Sequence, residues 1–153
     1  MGGEVTYQRE RFVDVYSEAI PLLKEHWAEI ATYLDIELAP DLDKYLKCEE
    51  NGNLRIYTVR FDHKLIGYAC FFVTPHAHYV NSLQALQDVL YLDPEYRAGR
   101  IGLNLIRFSE DELRGDGVQV VHQHVKLAHP TLGRILERLG YQAVETIYSR
   151  RLD

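Results

Sequence analysis

The sequence predicts an α/β (α+β) fold of three layers built around a mixed, mostly antiparallel sheet. Three features carry that prediction. Residues 54–61 and 65–74 are two runs rich in β-branched and aromatic residues, separated by Asp62-His63-Lys64 in the manner of an antiparallel hairpin. Residues 84–125 then read strand, helix, strand, a crossover that joins parallel neighbours. No internal repeat, low-complexity tract or Pro/Gly/Ser-rich linker interrupts the chain, so one domain over residues 1–153 is expected.

Residues 4–8 alternate weakly as a first strand. Over residues 11–31, Val15, Ile20, Leu23, Trp27 and Ile30 recur near helical spacing. Pro21 lacks an N–H, which predicts two helical pieces or one kinked helix. Asp41 is placed to cap a short helix through about Glu50, and Asn51-Gly52 ends it before the hairpin. Gln84 to Leu92 makes a further strand. Between Gly102 and Leu113, apolar Leu103, Ile106 and Leu113, with Leu105 beside them, fall on one helical face. Gly115-Asp116-Gly117 breaks the chain before a strand over 118–125. Pro130 suits the first turn of a last helix, which turns Leu132, Ile135, Leu136 and Leu139 inward and stops at Gly140. Residues 141–150 read as a closing strand. The order is β, α, α, β, β, β, α, β, α, β.

Composition removes several function classes. Hydrophobic residues at 46% and charged residues at 26% exclude disorder, collagen and coiled coil. Seventeen Lys plus Arg stand against 23 Asp plus Glu, and the resulting −6 opposes nucleic-acid and anionic-membrane partners. No apolar run approaches the roughly 20 residues of a membrane span, and the N-terminus lacks signal-peptide character, so a cytoplasmic protein is expected. Cys48 and Cys70 have no paired spacing, which argues against a disulfide framework or a metal site. Dinucleotide, P-loop, serine-elbow and metalloprotease motifs are all missing.

The informative passage is L-Y-L-D-P-E-Y-R-A-G-R-I-G-L-N-L-I, residues 90–106, in which a strand passes through a glycine-bearing turn into a helix. Main-chain N–H groups from Arg97 to Leu103 would point outward together at the positive end of the helix dipole, a cradle for pyrophosphate. Glycine at 99 and 102 would allow close approach and positive φ. These residues resemble the acetyl-CoA signature of the GCN5-related N-acetyltransferase (GNAT) superfamily, Gln/Arg-x-x-Gly-x-Gly/Ala. Arg97 and Gly102 match it, while its middle glycine falls at Arg100, beside Gly99. The strand order and I-L-E-R-L-G-Y, residues 135–141, extend the resemblance over nearly the whole chain.

The resemblance implies a central parallel strand pair, residues 84–92 and 118–125, that splays to admit the pantetheine arm of acetyl-CoA. It implies that the Leu90 N–H polarises the thioester carbonyl, that Leu92 pairs with pantetheine, and that Arg97, Ala98, Gly99, Arg100, Ile101, Gly102 and Leu103 hold the pyrophosphate. Arg100 is favoured for an added phosphate contact. The implied reaction is direct attack by an amine, which needs a base because the free ammonium pKa is roughly 8–10. Relatives place a glutamate where this chain has Leu86. Asp88 shares that side-chain parity and is the leading base candidate, with a structural carboxylate as the alternative. His122 and His124 share a face of the opposing strand and are proton-relay candidates. The family's thiol-protonating tyrosine is Leu136 here, which leaves His129, Tyr141, Tyr148 or water; relatives often carry a CoA-contacting Asn where His129 stands.

Acceptor choice is expected from residues 26–42, where Tyr33, Asp35, Glu37 and Asp41 lie, and from a lid-like loop over 75–83 with His76, His78 and Tyr79. The implied partners are an amine acceptor (a small amine, peptide N-terminus or lysine) and a homodimer through late strands. The competing expectation is a weakly active or inactive GNAT-like binding or structural protein, of a kind also met in phage.

Overall fold

The computed structural model describes residues 2–153. The chain runs β1 (Val5–Arg9), α1 (Phe12–Ile30), α2 (Leu42–Glu50), β2 (Leu54–Phe61), β3 (Lys64–His76), β4 (Tyr79–Leu92), a 3-10 turn (Pro94–Tyr96), α3 (Ile101–Gly115), β5 (Val120–His122) and α4 (Thr131–Arg138). The sheet order is β1-β2-β3-β4-β5. The first three pairings are antiparallel and β4–β5 is parallel. This is the mixed α/β sheet that the hairpin and crossover patterns predict.

Each face of the sheet buries its own cluster. Toward α3, Tyr57, Val59, Ile66, Phe71 and Ala85 pack with Leu105 and Leu113. Toward α1 and α2, Val15, Leu54, Ile56, Leu65 and Cys70 pack with Tyr45 and Val89 among others. Period-2 alternation in the central strands serves both layers, because every strand residue is aimed at one helix layer or the other. The β2–β3 turn has positive φ at both Asp62 (46°) and His63 (70°), and Phe61 pairs with Lys64 across it. It is a two-residue turn whose left-handed backbone matches the strand twist.

Of the two forms expected for residues 11–31, the single helix is found: α1 runs through Pro21, which removes one ladder bond and crowds the carbonyl four residues earlier, while the buried face continues on both sides. Three sequence expectations change. The loop expected over 75–83 is instead the tip of a long hairpin, with β3 reaching His76 and β4 starting at Tyr79. β5 is three residues, not eight. The closing strand is not formed: residues 141–153 carry no strand pairing. A three-residue edge offers too short a template for it. The tail lies instead against the α1–α2 loop, where the hydroxyls of Tyr33 and Ser149 hydrogen-bond at 2.8 Å and Arg151 pairs with Asp35 at 2.9 Å. Among the described residues, no helix is long and apolar enough to cross a membrane.

Candidate active site

The site is organised by where β4 loses its neighbour. β5 pairs with β4 only at Gln84↔Val120, Ala85↔Val121 and Leu86↔His122. Past Leu86 the strands part. The next link is a side chain, since the Gln87 amide oxygen accepts the His124 main-chain N–H at 2.6 Å.

Alternation along β4 fixes which main-chain groups face the gap. The Asp93 N–H donates to the Ile66 carbonyl on β3 at 2.8 Å, so the Gly67↔Leu92 and Ala69↔Leu90 pairs are the non-hydrogen-bonded ones of that ladder. The N–H and C=O of Leu90 and Leu92 therefore point away from β3, toward the side β5 has vacated. Their side chains pack into the α3-facing core.

A bulge sets the carboxylate. Cys70 pairs with Val89 while Phe71 pairs with Gln87, which leaves Asp88 as the extra residue of β4. Asp88 and Val89, consecutive in the chain, consequently both face α1 and α2, beside Cys70. The parity predicted from Leu86 to Asp88 holds, but the count cannot be carried through to Leu90. The Tyr45 hydroxyl on α2 donates to Asp88 Oδ2 at 2.6 Å. Burial raises the Asp88 carboxyl above the ordinary carboxylate value, against the opposing pull of that hydrogen bond and of the Lys44 and His124 charges. Burial and the Asp88 charge push the Tyr45 phenol upward, so it stays a donor.

His124 shares the α1–α2 side with Asp88 and is exposed. His122 is half-buried, with Nε2 at 2.8 Å from the Gln84 side-chain oxygen. The His124 charge reaches Asp88, while His122 is held to Gln84 at the end of β5.

At the far end of β4 the chain turns into α3. Its first ladder bond runs from the Asn104 N–H to the Arg100 carbonyl at 2.9 Å, so the N–H groups of Ile101, Gly102 and Leu103 precede the ladder. No side chain caps them and no acidic residue stands in the first turn. A Cβ on Gly99 would meet nothing within 4 Å, and one on Gly102 only Leu92 Cδ2 at 3.5 Å, so the surface at these two glycines is open to approach. Positive φ at Gly99 and Gly102 is not found; the left-handed glycines are Gly52, Gly117 and Gly140. Both loop glycines give access rather than an unusual turn.

Arg97 is engaged elsewhere. Its N–H bonds to the Pro94 carbonyl at 3.3 Å, its Nε donates to the Leu92 carbonyl at 2.7 Å, and its two terminal nitrogens clamp Glu29 of α1 at 2.6 and 2.9 Å. Its guanidinium lies 5.4 Å from the Tyr91 ring centre. Ala98, Gly99 and Arg100 are exposed in the turn. His129 sits in the turn before α4, where its charge reaches Glu29. Tyr141 lines a groove at the opposite end of α3 with Glu110 and Arg114, and Tyr148 is 92% exposed. Leu136 is buried.

Spacing does not reveal Tyr45, Glu29 or the bulge, because each acts through a partner on another element. Asp35 and Asp41, in the segment named for acceptor choice, are taken up by Arg151 and by capping the Lys44 N–H at 3.1 Å.

The family model described as the acetyltransferase (GNAT) family matches residues 14–141. Comparison with curated protein sequences returned no match. Among solved structures, a ribosomal-protein-alanine N-acetyltransferase from Brucella melitensis biovar Abortus 2308 is similar at 20% identity, TM-score 0.71, covering 98% of this chain and 100% of that one. A predicted acetyltransferase from Clostridium acetobutylicum, solved with acetyl-CoA, is similar at 12% identity and TM-score 0.75, with 97% of both chains covered. An aminoglycoside acetyltransferase from an uncultured soil metagenomic sample is similar at 14% identity and TM-score 0.73, covering 96% of this chain and 97% of that one.

Proposed function

We propose, from the premise that this chain belongs to the GNAT acetyltransferase family and uses acetyl-CoA, that it acetylates a primary amine by direct attack, with Asp88 as the base. The observation that carries the proposal is the succession of two donor sets in one stretch of chain: the Leu90–Leu92 edge of β4, vacated by β5, and the uncapped start of α3.

The residues present fit acetyl-CoA. The start of α3 has no side-chain cap and no acidic residue in its first turn, which suits a pyrophosphate. The exposed Arg100 side chain is free to add a charge-assisted contact. Arg97 acts one step back: it neutralises Glu29 beside the cradle, and its hold on the Leu92 carbonyl leaves the Leu92 N–H to pair with the pantetheine arm. His129 borders the same end. Bound acetyl-CoA supplies an activated acetyl thioester.

The chain's own groups do the rest. The Leu90 N–H, held in the gap, donates to the carbonyl oxygen as negative charge develops there. Asp88, whose affinity for a proton burial raises, takes the proton from the incoming ammonium so that a neutral amine attacks. Tyr45 holds the carboxylate in place from α2. His124 stands where a proton passes from Asp88 to solvent, and His122, tied to Gln84, positions that strand end. With Leu136 buried and Tyr141 remote, the departing thiolate takes its proton from water or His129; a thiol pKa of roughly 8–9 makes this undemanding.

Titration with acetyl-CoA in a calorimeter, followed by thiol release over a panel of small amines, amino acids, peptides and aminoglycosides, tests the proposal. Binding with turnover for at least one amine is expected. Binding without turnover for any amine leaves a binding protein and overturns the reading.

A further inference from the structure

Between α1, α2 and the sheet lies a cavity of about 80 Å³. Its walls include Val15, Ala19 and Ile20 of α1, Leu42 of α2, and Val89 of β4, and Asp88 supplies the one carboxyl among the lining residues. Burial pushes the Cys70 thiol up, so it stays neutral, and the buried Tyr68 hydroxyl on the same wall has no hydrogen-bond partner. A space with so few polar partners does not hold water well, and one of roughly 150 Å³ suffices for a benzene ring. This cavity therefore has room for about three or four methylene carbons. It lacks the volume for a sugar ring, most of whose hydroxyls would be stripped of water and left unpaired.

The bulge aims both parts of a ligand at once. Val89 lends an apolar wall and Asp88, the residue before it, presents a carboxylate two positions from Leu90, whose N–H faces the strand gap. We infer that this cavity seats the apolar part of the acceptor: the substrate is a primary alkylamine, or an amine borne on a short unbranched aliphatic chain, with its ammonium on Asp88 and its carbons between α1 and Val89. The inference rests on the assignment of Asp88 as the group that faces the amine.

The test is a homologous series, methylamine to hexylamine, assayed by thiol release with the full chain and saturating acetyl-CoA, beside glucosamine and kanamycin. Each buried methylene is expected to raise kcat/KM about fourfold, up to three or four carbons, after which the profile levels, with both sugars far below. Ala19→Leu, which fills the cavity, should move the optimum to methylamine while acetyl-CoA affinity by calorimetry is unchanged. Val89→Ala, which enlarges it, should move the optimum to a longer chain and serves if Ala19→Leu does not fold. A flat profile, a preference for the sugars, or an optimum that neither variant moves overturns the acceptor assignment alone. Acetyl-CoA binding without turnover of any amine overturns the enzyme assignment with it.

Discussion

Replacing Tyr45 with Phe removes one hydroxyl and leaves its ring where it is, stacked between Phe12 at 5.2 Å and Phe72 at 5.8 Å. That hydroxyl donates to Asp88 at 2.6 Å, and it stabilises the ionised carboxylate against a burial that disfavours it. A hydrogen bond to a charged group is worth about 1.5–3 kcal/mol, and one pKa unit is about 1.4 kcal/mol. Tyr45→Phe should therefore raise the Asp88 pKa by about 1–2 units. Since Asp88 must be ionised to accept a proton, the acid limb of kcat/KM should move upward by that amount. Below the limb activity falls about 10- to 100-fold; on the alkaline plateau it returns to within a few-fold of the parent. Stability has the opposite dependence. A carboxyl whose folded pKa is raised binds more protons folded than unfolded, so stability falls as pH rises from the ordinary carboxylate value to the raised one, and the variant extends that window upward. The measurement is thiol release against pH for both proteins, with urea unfolding over the same range. An acid limb that stays in place, or moves downward, would show that Asp88 is not the group that titrates.

Gly102→Ala should separate stability from binding: alanine in the first turn stabilises by a few tenths to about 1 kcal/mol, while its methyl crowds the main-chain donors and weakens acetyl-CoA binding roughly tenfold by calorimetry. Equal affinity would remove the α3 start from the cofactor site. His26 is buried on α1 with Nδ1 unpartnered, and burial lowers its pKa from 6.5 to about 4. Its stabilisation is complete above pH 6.5 and is lost as pH falls toward 4, with a slope of up to about 1.4 kcal/mol per pH unit; urea unfolding of His26→Phe should show that slope reduced, and an unchanged slope refutes the assignment. The tail exposes Val144 (80%), Ile147 (75%), Tyr148 (92%) and Leu152 (90%), more apolar surface than an isolated chain end normally leaves in water. Sedimentation should show concentration-dependent self-association that disappears when residues 142–153 are deleted; identical behaviour of the two chains would refute it.

The elements legible in the sequence were those whose signal is local and repeated. The 3.6-residue spacing from Leu105 to Leu113 and the glycine break after it located α3. Alternation and turn residues located β2 and β3. What stayed hidden depends on partners distant in the chain. Residues 141–150 carry a strand signal, yet β5 leaves a parallel neighbour for only three residues, and a strand cannot form on an edge that is not there. Pro75 and the histidines beside it read as a loop, but Pro75 still pairs with Leu83 in the hairpin. The bulge escaped because counting by twos assumes an uninterrupted ladder. Arg97 matched a signature and so looked like a phosphate ligand, whereas its guanidinium is claimed by Glu29, 68 residues earlier. The strand, the glycine-bearing turn and the helix start after it were legible because each has a local signal in the chain.

The free donors at the start of α3 belong to the main chain, and this bears on how such a protein can change over time. Drift in side chains at positions 98–103 can crowd or recolour the cradle, but short of a proline it cannot delete an N–H. The arrangement can thus outlast nearly all recognisable identity, and it is better searched for as a shape, an abandoned strand edge running into an uncapped helix, than as a string of letters.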